Sequence, residues 1–200
     1  MKILAAGDFH GDKSQAIRLA ERAEKENVDL VILTGDITHM DQTAEGIMGA
    51  FVAKKKKVLF VPGNHDSFAT ADFLTEFYGV KNIHGYSVKY GDVGIFGCGF
   101  ANVGLNQLQE SEFHSTLKDA FFGIKDLKMK IMVTHVHPAN SKMEKFSQFI
   151  PGSMGVRKAI DELQPDILFC SHVHEADGIE EIIGKTRVIN AGRNGKIIEL

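Results

Sequence analysis

The amino-acid sequence predicts an α/β fold in which two β-sheets stack face to face with helices on the outside. Three observations lead there. Short apolar runs alternate with amphipathic helical patterns from the first residues onward, which argues for parallel pairing. Those runs are bounded by Gly, Pro, Asp or Asn, as short buried strands are. In the middle and the tail, strand-like segments separated by Gly and Asp turns read as hairpins, which calls for a second, more antiparallel sheet.

In chain order, residues 2–6 read as the first strand, and Ser14 is placed to cap a helix to about Glu26 whose Ile17, Ala20 and Ala23 share an apolar face. Residues 30–34 and 58–61 are the next strands, followed by helices at 43–53 and 71–78 respectively. Residues 87–96 form a hairpin pattern, and His114 falls on a helix. Residues 131–134 and 166–171 are further buried strands, with a helix at 154–163 between them and hairpin patterning after Ile179. Residues 138–155 make a long, weakly patterned stretch, and such loops in compact domains are often functional.

A chain of 200 residues that is 44% hydrophobic and 24% charged fits one globular domain over 1–200. The formal charge of -3, with both signs intermixed, argues against a nucleic-acid partner. The Lys54-Lys55-Lys56-Lys57 run reads as a solvated helix end whose cations suit the helix dipole. Cys98 and Cys170 both fall in apolar runs, as reduced thiols of a cytoplasmic protein do. The apolar start is too short for a signal sequence before Asp8 interrupts it, and no stretch is long enough to span a bilayer.

The chemistry is concentrated at five strand ends: Asp8-Phe9-His10, Gly35-Asp36, Gly63-Asn64-His65-Asp66, Thr134-His135 and Ser171-His172-Val173-His174. An α/β sheet gathers the carboxyl ends of its strands along one edge, so residues far apart in sequence converge there. Each cluster alone has a plain reading: a strand-end turn, an Asn-rich loop or a satisfied histidine. Jointly, five turns supplying carboxylate, amide and imidazole point to a two-metal hydrolytic site, because a shared carboxylate lets two cations sit about 4 Å apart and promote displacement at phosphorus. An extended backbone would put Asp8 and His10 on one side, and His172 and His174 likewise. Gly35 permits a tight turn that leaves the Asp36 carboxylate free to bridge, Asn64 offers a carbonyl, and His65 can transfer a proton. Cys170 shares the parity of the two later histidines, but its apolar surroundings favour core packing. Gly7 and Gly11 fit neither a Walker loop nor a dinucleotide fingerprint.

The order Asp8-x-His10, Gly35-Asp36, Gly63-Asn64-His65-Asp66, His135 and His172-x-His174 resembles the calcineurin-like metallophosphoesterases, over nearly the whole chain. The resemblance implies a four-layer αββα sandwich of two mixed sheets and two divalent ions; the mixed nitrogen and oxygen donors suit manganese, the favoured metal, as well as zinc, iron or nickel. It implies that Asp8, His10, Asp36 and His174 hold one ion, that Asp36, Asn64, His135 and His172 hold the other, and that Asp36 bridges. The resemblance also makes His65 a general acid or leaving-group stabiliser beside a metal-bound hydroxide that attacks phosphorus, with Asp66 placed to orient it. Where the protein phosphatases of the superfamily carry a second Asp after Gly-Asp, this chain has His39, and Ser171 stands where the last motif commonly has Gly. Asn190-Ala191-Gly192 resembles the closing Asn-x-Gly element that shapes the floor of the site. The expected activity is hydrolysis of a small phosphorylated substrate, a phosphodiester before a phosphomonoester. Residues 100–107 and 138–155 would choose the substrate, with Lys142 or Arg157 as phosphate contacts. A nuclease and a non-catalytic metal-binding scaffold are the alternatives, and His65 speaks against the scaffold.

Overall fold

The computed structural model describes residues 1–42, 45–147 and 149–200. The first sheet is built from β1 (Lys2–Ala6), β2 (Leu30–Leu33), β3 (Lys57–Phe60) and the short β4 (Lys81–Asn82), all paired in parallel. The connections that make it parallel are α1 (Lys13–Lys25), α2 (Ile47–Ala53) and α3 (Phe68–Tyr78), as right-handed βαβ packing requires. The second sheet contains β5 (Ser87–Tyr90), β6 (Val93–Cys98), β7 (Met129–Thr134), β8 (Ile167–Cys170), β9 (Glu180–Ile183) and β10 (Thr186–Asn190), in the order β5-β6-β7-β8-β10-β9. The helices of this half are α4 (Glu110–Phe122), between β6 and β7, and α5 (Met154–Leu163), between β7 and β8.

Two expectations about this half are corrected. The hairpins β5-β6 and β9-β10 are present, but they only edge the sheet, whose centre from β6 through β7 and β8 to β10 is parallel. Helical crossovers through α4 and α5 impose that direction, which hairpin turns could not. The tail is not all hairpin either: β11 (Lys196–Glu199) crosses to the first sheet and pairs antiparallel with β1, Ile3 opposite Ile198.

Period-two alternation along the strands then separates three apolar layers. Leu4, Ala6, Val31, Leu33, Val58 and Phe60 face the helices of the first half. Their neighbours Ile3, Ala5, Leu30, Ile32, Leu59 and Val61 meet Ile95, Ile131, Val133, Ile167, Phe169 and Ile189 between the sheets. Met132, Leu168, Cys170 and Val188 face α4 and α5 with Phe113, Leu117, Val156 and Ile160. Strands buried on both faces need apolar residues at every position, which is why they read as unbroken apolar runs. The result is the four-layer αββα sandwich, and both cysteines are buried free thiols in it.

Helix ends differ in detail from the sequence pattern. Asp12, not Ser14, caps α1, its side chain accepting from Gln15 N at 3.0 Å. Ala16, Leu19, Ala20 and Ala23 make the buried stripe, and Ile17 lies beside it, 42% exposed. Ser67 caps α3 three residues ahead of the expected start, through Thr70 N at 3.2 Å. The helix expected at 43–53 begins at Ile47; Thr43 and Ala44 lie outside the described residues. Lys54 closes α2 and pairs with Glu24 at 2.6 Å, and Lys57 already belongs to β3. Among the described residues no helix is long and apolar enough to cross a membrane.

The middle layer should dominate stability. Phe169 is fully buried between the sheets on the strand that leads to Ser171. Phe169→Ala is expected to cost about 3–5 kcal/mol in urea denaturation, the range for a large core truncation.

Candidate metal centre

All the strand-end clusters meet at one edge of the sandwich. Thr34, just after β2, ties the two sheets together there: its carbonyl accepts from His135 Nδ1 at 2.8 Å and from the Ser171 hydroxyl at 3.0 Å. Ser171 in place of glycine thus adds an inter-sheet hydrogen bond. The bond to Thr34 also leaves His135 Nε2 facing the centre of the edge, as a backbone carbonyl behind a ligating imidazole does.

Around that nitrogen sit Asn64 Oδ1 at 3.1 Å, His172 Nδ1 at 3.1 Å and Asp36 Oδ2 at 3.4 Å. The same Asp36 oxygen lies 3.4 Å from His10 Nε2. His10 Nε2 is in turn 3.2 Å from His174 Nε2, which lies 3.9 Å from Asp8 Oδ1. Donor atoms of Asp8, His10 and His174 all fall within 4.8 Å of one another, as do those of Asp36, His135 and His172. The structure therefore brings together every ligand candidate read from the sequence, in two groups with Asp36 between them. His172 and His174 go to different groups.

Local backbone achieves this otherwise than expected. Asp8, His10, Asp36 and His172 have φ of 55°, 46°, 49° and 74°, the left-handed region, so neither Asp8-x-His10 nor His172-x-His174 is extended. Such conformations cost about 1–3 kcal/mol each where a side chain is present, and they concentrate at functional sites. Between the first pair, Phe9 points into the core with no exposure. Glycines permit the crowding: a Cβ on Gly63 would collide with Asp36 Oδ1, and Gly35 has φ of 99°. Asn190 Nδ2 donates to the Val173 carbonyl at 3.0 Å, holding the loop that carries both late histidines, and Gly192 O accepts from Gly7 N at 2.9 Å.

Asp66 does not orient the ring of His65. Its two oxygens accept from Ile37 N, Thr38 N, the Thr38 hydroxyl and Gly63 N at 2.8–3.0 Å, so the carboxylate braces the Asp36 turn against the Asn64 turn. Burial and the Asp36 charge push Asp66 up to about 6, against these donors. His65 instead stacks on His39, ring centroids 5.1 Å apart at 21°, and sets its edge to His10 at 4.6 Å. An imidazole stack thus stands where the carboxylate-histidine pair of protein phosphatases would be.

The electrostatics suit cations. Asp8 and Asp36 are 0% and 2% exposed, and among the described residues their ion pairs are all with histidines. Burial raises the Asp8 carboxyl, with Asp36 adding to the effect. Burial works to raise Asp36 too, but His135 and the His65 N–H bond outweigh it and hold it well below the usual carboxylate range. For His135, burial alone lowers the value, whereas Asp36 and Asp8 push it up to about 9. Burial lowers His10 to about 4. Among the described residues His172 Nε2 is buried without a hydrogen-bond partner. Mixed oxygen and imidazole donors in that arrangement fit hard to borderline divalent cations.

Outside the centre, His84 Nδ1 accepts from Gly99 N at 2.9 Å and His114 pairs with Glu162 at 2.7 Å, both structural as expected. Neither Lys142 nor Arg157 is among the residues that line the hollow at the site. Lys142 N donates to Glu181, and Arg157 pairs with Asp161 beside the α4-α5 groove. The sequence reading named the two loops facing the centre but missed the residues that reach it, Val103, Gly104 and Ile150, and also Glu175. Apolar residues in a long loop were the available signal.

Residues 1–176 match the profile of calcineurin-like phosphoesterases, and the chain belongs to that family. Members of the family are phosphoric ester hydrolases that use divalent metal ions. The chain is 31% identical over 200 residues to the uncharacterized protein MJ1162 of Methanocaldococcus jannaschii, covering 95% of this chain and 87% of that one. Its fold is similar to that of TT1561 of Thermus thermophilus, at TM-score 0.79 and 18% identity over 96% of this chain and 90% of that one. It is also similar to a dimetal phosphatase of Danio rerio, at TM-score 0.60 and 11% identity over 94% and 86%. A third similar fold is an archaeal phosphodiesterase, at TM-score 0.52 and 16% identity over 96% and 84%.

The glycine at the crowded turn can be tested against one in open space. Gly63→Ala should lose about 1–3 kcal/mol or more in denaturant melts, as overpacking does. Gly79→Ala, at φ of 66° with nothing within 4 Å of a Cβ, should lose only about 1 kcal/mol.

Proposed function

We infer that the protein is a phosphoesterase that acts with two divalent cations, and that its substrate is a phosphodiester. One observation carries the reading: a single Asp36 oxygen lies 3.4 Å from the Nε2 atoms of both His10 and His135, joining two buried donor groups. Asp8, His10, His174 and Asp36 would hold one cation, and Asp36, Asn64, His135 and His172 the other. When bound, such a pair supplies Lewis acidity that activates water and offsets charge on phosphoryl oxygens.

The chain's own groups do the rest. Asp36 is fixed for a bridging role by His65 N, which donates to Oδ1 at 2.9 Å and leaves Oδ2 to the two groups. The Thr34 carbonyl engages His135 Nδ1 and so leaves Nε2 to face the two groups. His65 lines the hollow above the centre and is the residue for delivering a proton to the departing oxygen, with His39 stacked behind to keep its plane. Manganese is the metal proposed for the mixed donor set, before zinc, iron or nickel. The buried thiols support a reducing cytoplasm as the compartment.

Metal-loaded protein should hydrolyse bis-p-nitrophenyl phosphate, lose the activity to a chelator and regain it with manganese. Asp36→Asn should abolish turnover, and wild-type rates no higher than this control with any divalent metal would overturn the reading. His65→Ala should lower kcat by about 10²–10⁴, the range for a general acid, while two metal ions per chain are still found by elemental analysis.

A further inference from the structure

The hollow above the metal centre, about 280 Å³, is lined, beyond the other candidate ligands and His65, by Val103, Gly104 and Ile150 and by His174 and Glu175. Among the described residues, no lysine or arginine lines it. Arg193 lies in a neighbouring hollow that shares only His10 with this one, and its guanidinium is held by Asp12 at 2.6 Å. Enzymes that recognise additional phosphates or carboxylates do so with Arg or Lys forks. Here the acidic residue that borders the hollow outside the candidate ligands is the exposed Glu175.

The apolar side is built as a fixed wall. Gly104 has φ of 101°, and a Cβ there would lie 2.7 Å from Asn64 Nδ2, so its backbone rests directly on a candidate ligand. Asn106 donates to the Asn64 carbonyl from its backbone N–H at 3.2 Å and from Nδ2 at 3.0 Å. Asn102 Nδ2 reaches from the same loop to the carbonyls of Pro151 at 3.2 Å and Gly152 at 3.4 Å, next to Ile150. The segments that carry Val103 and Ile150 are therefore tied to each other, and the first of them to Asn64. A wall so fixed discriminates by what it touches, because little ordering is needed on binding.

Resting on the phosphoesterase reading above, we propose that this hollow selects a phosphodiester monoanion whose ester group on the Val103–Ile150 side is apolar and uncharged, alkyl or aryl. Glu175 disfavours any substrate with a further negative charge beside the phosphorus. A phosphomonoester carries close to two charges at neutral pH, whereas a diester carries one. The chemistry excluded is therefore that of phosphomonoesters and nucleoside polyphosphates. Burial of methylenes against Val103 and Ile150 provides the preference among diesters, since apolar contact is worth a substantial factor per carbon.

The test compares kcat/KM for p-nitrophenyl phosphate and for its methyl, hexyl and phenyl diesters, with inhibition by dimethyl and dibutyl phosphate as a second readout. The expected result is that a larger apolar group raises kcat/KM about tenfold or more over methyl, mainly through KM, and that dibutyl phosphate inhibits correspondingly better than dimethyl phosphate. The hexyl and phenyl arms decide between an alkyl and an aryl group. Ile150→Ser should remove most of that gain, and Glu175→Gln should raise phosphomonoester turnover about 3–10-fold relative to the methyl diester, as loss of one nearby charge does. Equal kcat/KM across the diesters, or a preference untouched by both substitutions, would overturn the proposal and leave the phosphoesterase reading intact. No turnover of any ester above the Asp36→Asn control would instead strike at that reading itself.

Discussion

The burial of the Asp36 carboxylate between two sets of imidazoles is the constraint on which the site depends. A carboxylate that is 2% exposed is costly to bury unless its charge is matched, and here the matching charge is that of His135 from the second sheet, with the His10 ring of the first sheet beside the same oxygen. The position is over-determined. Gly63 allows the turn beneath to approach, His65 N fixes one oxygen, and the four hydrogen bonds of Asp66 lock the Asp36 turn to the Asn64 turn. Move that carboxylate and neither donor group is complete.

Such crowding has a conformational cost, and it is concentrated where the chemistry lies. Four of the candidate ligands have left-handed backbone, a state their side chains disfavour. The sandwich can hold them there because residues beside them are anchored in its apolar layers. Phe9 between two of the strained residues is fully buried, as is Phe169 two residues before Ser171. Packing energy from three apolar layers thus offsets strain at one edge, and it gives a ligand cradle that needs little rearrangement. The same rigidity extends outward through Asn64, Asn106 and Asn102 to the apolar wall, so the reacting centre and the surface beside it are one connected body.

The strands and the donor residues were legible because their signals are local. A strand buried on both faces has to be apolar throughout, so β1, β2, β3, β7 and β8 declare themselves to within a residue or two. Ligands need particular elements, so Asp8, His10, Asp36, Asn64, His135, His172 and His174 stand out against apolar runs. Other features escaped because they depend on non-local partners. The direction of the second sheet is set by crossovers through α4 and α5, not by its hairpins, and β11 joins β1 from the far end of the chain. Asp66 looked like a partner of its neighbour, but three of the four donors that claim it come from the Asp36 turn.

By itself the sequence determined the α/β class, the two stacked sheets and the identity of the donor atoms, since apolar periodicity and side-chain chemistry are written residue by residue. Only the tertiary structure decided that Asp66 braces the Asp36 turn and does not orient His65, that the His39 ring stacks on His65, and that Glu175, Val103 and Ile150, without Arg157 or Lys142, border the hollow. Those facts concern distances between segments as much as 164 positions apart, such as His10 and His174, and folding alone sets them.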